Sequence, residues 1–368
     1  MPDVTAFCLD IHARYQCRHA GACCESWSVP AEPRVVELVR THKVRRTGVE
    51  GDLFVSSLES DGTRKWIVKR DDRGDCVFFD RHGGRLCVVH RDLGSDALPS
   101  ACRHFPRKVV IDPRGVLISL THFCPTAAAT LLTRGELSIV EAFPPLRLDP
   151  PTEGLDARDA WPPLVRPGLL CDIQGYEAWE RSGLSVFADA DRDFATCLDI
   201  VAAATESIRN WRPGAESLAD RVTADFLAAR SSHATAGWSA SGSIERVRSL
   251  TLGAVGDDLA SIEAFDARWN DYPGRRVDWF DAGMKKYLGA RLFANWIAYQ
   301  GQGLRTIVEW LRTCAAVVGH ELLRRTNNST IPPDATTFIE AVRSADLLLL
   351  HVLDSASFAR EAATIEES

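Results

Sequence analysis

Cysteine is the residue type whose number and spacing in this chain most clearly indicate chemistry. Eight of the eleven cysteines lie within the first 124 of 368 residues, and Cys23 and Cys24 are adjacent. Cysteine thiolates bind soft metal centres such as zinc and iron–sulfur clusters, whereas cysteines in oxidising compartments pair as disulfides. The crowding therefore predicts either metal ligation or disulfide bonding, and the cellular compartment decides between them.

The start of the chain and its longest apolar run both favour a reducing, cytoplasmic location. Residues 1–4 (MPDV) begin neither the basic nor the apolar region of a secretory signal peptide. The apolar run at residues 347–353, between Asp346 and Asp354, is far shorter than the roughly 20 residues that span a bilayer, so no membrane anchor is expected. Eleven cysteines would also leave one thiol outside any set of disulfides. We therefore favour ligation of a metal by thiolates.

The candidate metal ligands divide into one compact loop and several isolated positions. Three sulfurs come from residues 17–24, and the others must be gathered from separate turns and strand ends. Together they exceed the four sulfurs that one zinc ion or one cubane cluster takes, so two sites, or one site and some bystanders, are both open. The predicted ligands are Cys17, Cys23, Cys24, Cys76, Cys87, Cys102 and Cys124.

The remaining cysteines and the nearby histidines have less specific interpretations. Isolated cysteines in helical surroundings are most often buried as small apolar side chains, which we predict for Cys171, Cys197 and Cys314. Cys8 fits either role. Four histidines lie within a few residues of candidate ligands and could complete a site or hydrogen-bond to a ligand; they are His19, His90, His104 and His122.

A proline-rich stretch divides the chain into two parts. The patterns on either side of it predict an α+β fold. Seven of the eighteen prolines fall within residues 144–167, a stretch that can continue neither a helix nor a central strand. We predict a small cysteine-rich metal-binding module with short β-hairpins at residues 1–143. A proline-rich linker follows at residues 144–168, and a mainly α-helical bundle occupies residues 169–368.

Within the first module, the pattern predicts short elements that would position the cysteines. A helix is expected at residues 30–39, and β-type runs at 65–68, 76–79 and 86–89, the last two joined by a turn at Gly83-Gly84. A second hairpin is expected from 108–111 to 116–120, around an Asp-Pro-x-Gly turn. Cys124-Pro125 would open a helix that ends near Gly135.

In the second half, apolar residues recur at intervals of three and four, as in amphipathic helices. A bundle of such helices is the expected result. The predicted helices are 216–230, 243–254, 257–269, 278–300, 304–325 and 334–353.

Several cysteine motifs, taken in their order along the chain, resemble a known family. They include Cys-Cys-x-x-Trp-x-Val at residues 23–29 and Cys-x-x-Phe-Pro-Arg at 102–107, with further matching segments at 76–79, 86–90 and 123–127. This order is similar to that of a cysteine-cluster family that chelates zinc or iron, and most similar to its flagellin lysine-N-methylase branch. The resemblance covers residues 15–130. The chain departs from the family pattern in having no further cysteine at residues 18–22.

The resemblance implies a cysteine-ligated metal centre, either an iron–sulfur cluster of the 4Fe-4S type or zinc. It also implies methyl transfer from S-adenosylmethionine to lysine side chains of a protein substrate such as flagellin. The alternative is a non-catalytic metal-binding protein that carries electrons, stores metal or mediates an interaction.

Other motifs and the overall charge add little to these two hypotheses. A net charge of -7 and a pI near 5.8 argue against nucleic acid as the main partner. The Gly-x-x-Gly at residues 253–256 lacks a preceding strand and is more typical of a helix break than of a cofactor loop. Neither the Gly-x-Ser-x-Gly of hydrolases nor the Cys-x3-Cys-x2-Cys of radical enzymes occurs. No catalytic or cofactor-binding residue is predicted, and the oligomeric state is left open.

Overall fold

A computed structural model describes most of the chain and has an α+β fold in which helices dominate, with 54% helix and 14% strand. This confirms the predicted fold class at that level. None of the described helices combines the length and the apolar composition needed to cross a membrane. The described residues are 5–18, 20–21, 24, 29–58, 64–82, 84, 86–143, 154–232, 239–251, 259, 261–326 and 331–364.

Contacts divide the chain into two compact units. The cysteine unit comprises Gln16–Arg107 and Cys124–Thr126, and the helical unit comprises Met1–Tyr15, Lys108–Phe123 and Ala127–Ser368. The strands, in chain order, are β1 (Ala6–Leu9), β2 (Pro30–Ala31), β3 (Phe54–Leu58), β4 (Arg64–Val68), β5 (Phe79–Asp80), β6 (Leu86–Cys87), β7 (Arg107–Asp112), β8 (Gly115–Leu120), β9 (Ile139–Glu141), β10 (Leu155–Asp156), β11 (Leu164–Arg166) and β12 (Leu169–Leu170).

Most helices belong to the helical unit. The α-helices, in chain order, are α1 (Asp10–Ala13), α2 (Pro33–Thr41), α3 (Val88–Leu93), α4 (Ser100–His104), α5 (Pro125–Thr130), α6 (Ile173–Phe187), α7 (Phe194–Ile208), α8 (Leu218–Ser231), α9 (Ala240–Thr251), α10 (Phe265–Asn270), α11 (Asp278–Leu292), α12 (Leu304–Thr326), α13 (Ala335–Leu347) and α14 (Ser355–Thr364).

The helical unit contains a five-stranded sheet in the order β10-β7-β8-β1-β9. The predicted hairpin is confirmed as β7 and β8, whose turn is fixed by Asp112, because its Oδ1 accepts the Arg114 N–H (2.8 Å). Strand β1 was not predicted. It runs parallel to β8, with Ala6 opposite Val116, and antiparallel to β9.

Helix α12 is buried along most of its length and organises the helical core, packing against α7, α9, α11 and α13. The predicted helices 216–230 and 304–325 are confirmed as α8 and α12. The predicted helix 334–353 forms α13 and then a π-helical turn, Leu348–Val352. Helix α9 overlaps the predicted segment 243–254 but begins three residues earlier, at Ala240. Helix α10 begins only at Phe265, so the predicted helix 257–269 is wrong over residues 261–264. Residues 252–258 lie outside the described part of the chain.

The predicted helix 278–300 is wrong in its last third. Helix α11 ends at Leu292, and a separate 3-10 turn covers Trp296–Gln300. Ala294 has a left-handed backbone, with φ of 51°, and its N–H donates to the buried Glu180 Oε1 (3.0 Å). A tertiary hydrogen bond therefore draws the backbone out of the helix although the apolar periodicity continues.

The cysteine unit combines a three-stranded sheet in the order β2-β4-β3 with the two-stranded ladder β5-β6. Strand β4 confirms the prediction at 65–68, whereas the predicted strand 86–89 is wrong after Cys87, because Val88 and Val89 begin α3 and are buried in the core. The predicted strand 76–79 is reduced to β5 and an isolated bridge between Arg70 and Cys76. The predicted helix 30–39 begins three residues late, after β2, as α2.

The predicted helix after Cys124 and the predicted linker 144–168 agree with the structure only in part. The helix after Cys124 is confirmed as α5, but it ends at Thr130. Gly135 meets a packing requirement instead of capping the helix, because a Cβ there would lie 2.7 Å from the Ile11 Cα. Of the predicted linker 144–168, residues 154–168 are described, and they include β10, which pairs with β7, and β11, which pairs with β12.

Candidate functional site

The predicted metal ligands that the structure describes belong to one compact unit. Cys23 lies outside the described residues, as does His19. The described ligands are Cys17, which is exposed, Cys24, Cys76, Cys87 and Cys102, which are half-buried, and Cys124, which is buried.

Backbone hydrogen bonds connect three of the cysteine segments. The Cys76 N–H donates to the Cys24 carbonyl (2.7 Å), and the Phe79 N–H donates to the Cys76 carbonyl (2.9 Å). Phe79 is in turn the partner of Cys87 in the β5-β6 ladder. Cysteines separated by up to 63 positions in the sequence are therefore held in adjoining segments by the local fold.

Cys102 and Cys124 are positioned by different means. Cys102 lies in the short helix α4, whose Ser100 N–H donates to the Glu32 carboxylate (3.1 Å to Oε1). With Cys76 and Cys87, it packs against the largely valine core of the cysteine unit. Cys124 immediately precedes α5, and it groups with the cysteine unit although Phe123 groups with the helical unit.

Among the described residues, no group of three or more His, Cys, Asp or Glu side chains is arranged to hold a metal ion. The donor types nevertheless suit a thiolate site, because four of these cysteines are half-buried and are not enclosed in the core. His90 and His104 lie in α3 and α4 of the cysteine unit. His122 lies in the helical unit and faces other partners, described below.

The cysteines of the helical unit are buried, as predicted for three of them. Cys8, Cys171, Cys197 and Cys314 are each inaccessible to solvent. Burial raises the pKa of the Cys8 and Cys197 thiols to about 12, and it also raises the pKa of Cys171 and Cys314. These four thiols are therefore protonated at neutral pH and act as apolar packing groups.

A buried polar cluster in the helical unit is centred on Asp346. Its carboxylate accepts the Tyr287 hydroxyl (2.9 Å) and the His122 backbone N–H (2.5 Å), and it lies 3.5 Å from Arg291 Nη1. Burial acts to raise the pKa of Asp346, but the Arg291 charge and the hydrogen bonds from His122 outweigh it, so this pKa is below its ordinary range. Asp346 is therefore an ionised carboxylate with an adjacent cation.

Two buried histidines extend this cluster. The Nε2 atoms of His12 and His122 are 3.1 Å apart, and His122 Nδ1 is 3.4 Å from Asp346 Oδ2. Burial lowers the pKa of both imidazoles, and Arg291 lowers it further. Both rings are therefore neutral at pH 7, with one Nε2 donating a hydrogen to the other. Within the described part of the chain, no hydrogen-bond partner lies near His12 Nδ1.

A second buried network supports the β7-β8 turn. Arg114 lies 2.7 Å from both Asp112 Oδ2 and Glu180 Oε2, and the Tyr299 hydroxyl donates to Asp112 (2.7 Å). Burial raises the pKa of Glu180, although Arg114 opposes that effect. Because the two carboxylates already share Arg114, this network has a structural role.

Sequence reasoning did not single out Asp346, Arg291, Tyr287 or His12 as members of a site. The available signals were weak. Tyr287 and Arg291 are four residues apart and so lie on one helix face, and Asp346 directly precedes an apolar run. Nothing in a single sequence shows that these positions meet.

No protein-family model, no curated protein and no solved structure matches this chain.

Proposed function

We propose that the cysteine unit holds a cysteine-ligated metal centre, either an iron–sulfur cluster or zinc. The main support is that all the described candidate ligands lie in one compact unit. This unit includes Cys124, although the rest of the unit ends at Arg107 in the sequence. The ligands would be drawn from Cys17, Cys23, Cys24, Cys76, Cys87, Cys102 and Cys124.

The composition of the cysteine unit supports a stabilising metal. Its buried core consists largely of valines, with Phe54, Phe78 and a few other apolar residues. Small units with limited apolar cores commonly gain stability from metals or disulfides. A thiolate-bound metal would join the segments that carry Cys24, Cys76 and Cys87, which the backbone already brings together.

The described sulfurs do not by themselves form a complete coordination sphere. In thiolate sites, metal binding, thiol deprotonation and the final placement of ligands are coupled, so the ion contributes to the geometry that holds it. The proposal therefore needs a rearrangement of side chains on binding and contributions from residues such as Cys23.

The first experiment is measurement of metal and acid-labile sulfide, with a visible absorption spectrum, on protein purified without oxygen. About four iron atoms with matching sulfide would establish a cubane cluster, and zinc without sulfide would establish a structural thiolate site.

Single Cys→Ser changes at the seven candidate positions form a second experiment, and most of these variants should contain less metal than the unmodified protein. Cys197→Ser is the matched control, because that thiol is buried in the helical unit. A metal-free protein, or unchanged content in most variants, would show the proposal to be wrong.

For the activity, we propose methyl transfer from S-adenosylmethionine to lysine side chains of a protein substrate such as flagellin, with the chain itself located in the cytoplasm. This step is supported by the resemblance of residues 15–130 to the lysine-N-methylase branch. The Gly-x-x-Gly at 253–256 lies outside the described residues.

Calorimetry with S-adenosylmethionine on metal-replete protein tests the activity separately from the metal centre. Specific binding would support methyl transfer. No binding at about millimolar cofactor, in protein that retains its metal, would favour the non-catalytic alternative of electron transfer, metal storage or interaction.

A further inference from the structure

The helical unit contains a cavity of about 220 Å³ beside the Asp346 cluster. Its wall is partly apolar, formed by Trp296, Trp310, Leu349 and Leu353, and partly cationic, formed by Lys108 and Arg291. This volume is below the about 300–1,000 Å³ of sites for drug-sized ligands, so a cavity with these apolar and polar groups suits only a small organic molecule.

Lys108 is a charged group of this wall that has no carboxylate partner among the described residues. It is half-buried and lies on β7, and its Nζ sits 4.0 Å from the centroid of the Trp296 ring. Among the described residues, no carboxylate pairs with Nζ and no acceptor lies within hydrogen-bond distance of it. A partly buried ammonium group with only an aromatic face as its partner favours the approach of an anion.

The neighbouring charges do not cancel that of Lys108. Asp346 compensates Arg291, which it faces at 3.5 Å. Burial lowers the pKa of His351 to about 4, and His122 is likewise neutral at pH 7. Asp354 lies at the exposed edge of the cavity, where its Oδ2 accepts the Ser357 N–H (2.8 Å) at the start of α14.

We propose that this cavity binds a small organic monoanion, a carboxylate attached to an apolar or aromatic body. Lys108 supplies the counter-charge, and the tryptophans and leucines of the wall receive the body. A monoanion suits the site because one cation remains uncompensated, whereas the second charge of a phosphate dianion would face Arg291, which Asp346 already compensates. The site does not depend on the metal centre, since the residues that line it all belong to the helical unit.

Fluorine NMR with a matched pair of probes tests this assignment on the full-length, metal-replete protein. 4-Fluorobenzoate carries the carboxylate, and 4-fluorobenzamide has nearly the same shape without the charge. A charge-assisted hydrogen bond of about 1.5–3 kcal/mol corresponds to about 10- to 100-fold in affinity. We expect the benzoate to bind at least about tenfold more tightly than the benzamide. Equal binding, or no binding of the benzoate, overturns the proposal.

Lys108→Met should remove this preference, whereas Lys108→Arg should retain it. The matched control is Lys286→Met, in the same unit, whose Nζ donates to the Thr133 carbonyl and does not line the cavity. Because Lys108 is half-buried and has no carboxylate partner, its replacement leaves no counter-charge unpaired and should keep the fold intact. Unchanged benzoate affinity in folded Lys108→Met, or an equal loss in Lys286→Met, would contradict the role of Lys108.

A pH titration of the unmodified protein gives a second test that needs no variant. Burial, aided by the Arg291 charge, lowers the pKa of Lys108 to about 8. The ammonium is present below that pH and is lost above it, so benzoate affinity should fall as the pH rises through about 8, while benzamide affinity stays level. A flat benzoate profile between pH 7 and pH 9 would also overturn the proposal.

Discussion

The same residue type has opposite environments in the two units. In the helical unit, Cys8, Cys171, Cys197 and Cys314 are inaccessible and have raised pKa values, so they pack as apolar groups. In the cysteine unit, Cys124 is buried, but Cys17 is exposed and the other described cysteines, Cys24, Cys76, Cys87 and Cys102, remain half-buried. The local fold therefore encloses the thiols of one unit in its core and leaves four cysteines of the other unit half-buried.

The units also differ in how their interiors are stabilised. The helical core contains large buried aromatic side chains, such as Tyr176, Trp179 and Phe280, and buried charges that compensate one another around Asp346. The core of the cysteine unit is smaller and rich in valine. We therefore expect the helical unit to be stable through its packing and the cysteine unit to depend on its proposed metal.

The largest contrast should appear when the metal is removed with a chelator. Structural thiolate sites contribute on the order of 10 kcal/mol, so backbone amides of α2 and α3 should lose most of their protection from hydrogen exchange. Helix α12, buried in the helical core, should stay protected. Hydrogen exchange followed by mass spectrometry measures both regions in one sample. Equal loss in α2 and α12 would mean that the two units do not differ in this way.

Asp346→Asn should destabilise the helical unit by about 3–5 kcal/mol, since it leaves Arg291 buried without its counter-charge. Urea unfolding followed by tryptophan fluorescence measures the change in the free energy of unfolding. Metal content should not change.

The control for this variant is Glu177→Gln, which removes one partner of the exposed ion pair between Glu177 and Arg181 (2.8 Å). Exposed pairs at this spacing contribute about 0.3–0.5 kcal/mol. If both variants lost the same small amount, the Asp346 cluster would not be the electrostatic centre of the unit.

Acid should weaken the helical unit through the His12–His122 pair. Burial lowers the pKa of both histidines in the folded protein below the 6.5 of the unfolded chain. Below pH 6.5 these histidines therefore bind protons in the unfolded chain before they do so in the folded chain. The free energy of unfolding should therefore fall with decreasing pH, by about 1.4 kcal/mol per pH unit for each histidine. Urea unfolding from pH 7 to pH 5 measures this slope. His351, whose pKa burial lowers to about 4, adds to the slope in the same way. His12→Asn should therefore reduce the slope by about a third, and an unchanged slope would assign the effect to other groups.

Gly135→Ala should cost about 1–3 kcal/mol in the helical unit, because the new Cβ would lie 2.7 Å from the Ile11 Cα and backbone must move. Gly242→Ala is the control. A Cβ at this helical glycine would have only the Ser239 side chain nearby, at 3.7 and 3.8 Å, which is ordinary van der Waals contact. Alanine also has the higher helix propensity. The thermal unfolding midpoint should fall in Gly135→Ala and rise in Gly242→Ala. An unchanged midpoint in Gly135→Ala would show that the backbone near Ile11 moves without cost.

Sequence patterns predicted the elements that local chemistry determines. The apolar repeat of α12 placed that helix within a residue of its observed end, and the Asp-Pro-x-Gly turn located β7 and β8. The misses arose where distant contacts prevail. Val88 and Val89 have high β-propensity but form helix α3 in the core, and Ala294 leaves the helix because Glu180 binds its N–H.

The candidate sites were predictable to different degrees. The cysteine ligands could be proposed because their number and order are visible in one sequence, although only the fold shows that Cys124 joins the unit of Cys24 and Cys76. Lys108, Arg291 and Asp346 lie on separate elements. A sequence records their charges but not which of them remains uncompensated, since that depends on three-dimensional contacts.

The pairing of β1 with β8 has a consequence for synthesis of the protein on the ribosome. Ala6 is made early, but its partner Val116 is translated over a hundred residues later, after the main segment of the cysteine unit, Gln16–Arg107. Chains emerge at about 5–20 residues per second, so β1 must wait several seconds without this strand partner. During that interval the cysteine segment Gln16–Arg107 is synthesised, whereas Cys124 is not. Metal loading that requires Cys124 can therefore finish only after the partner strand of β1 has been made.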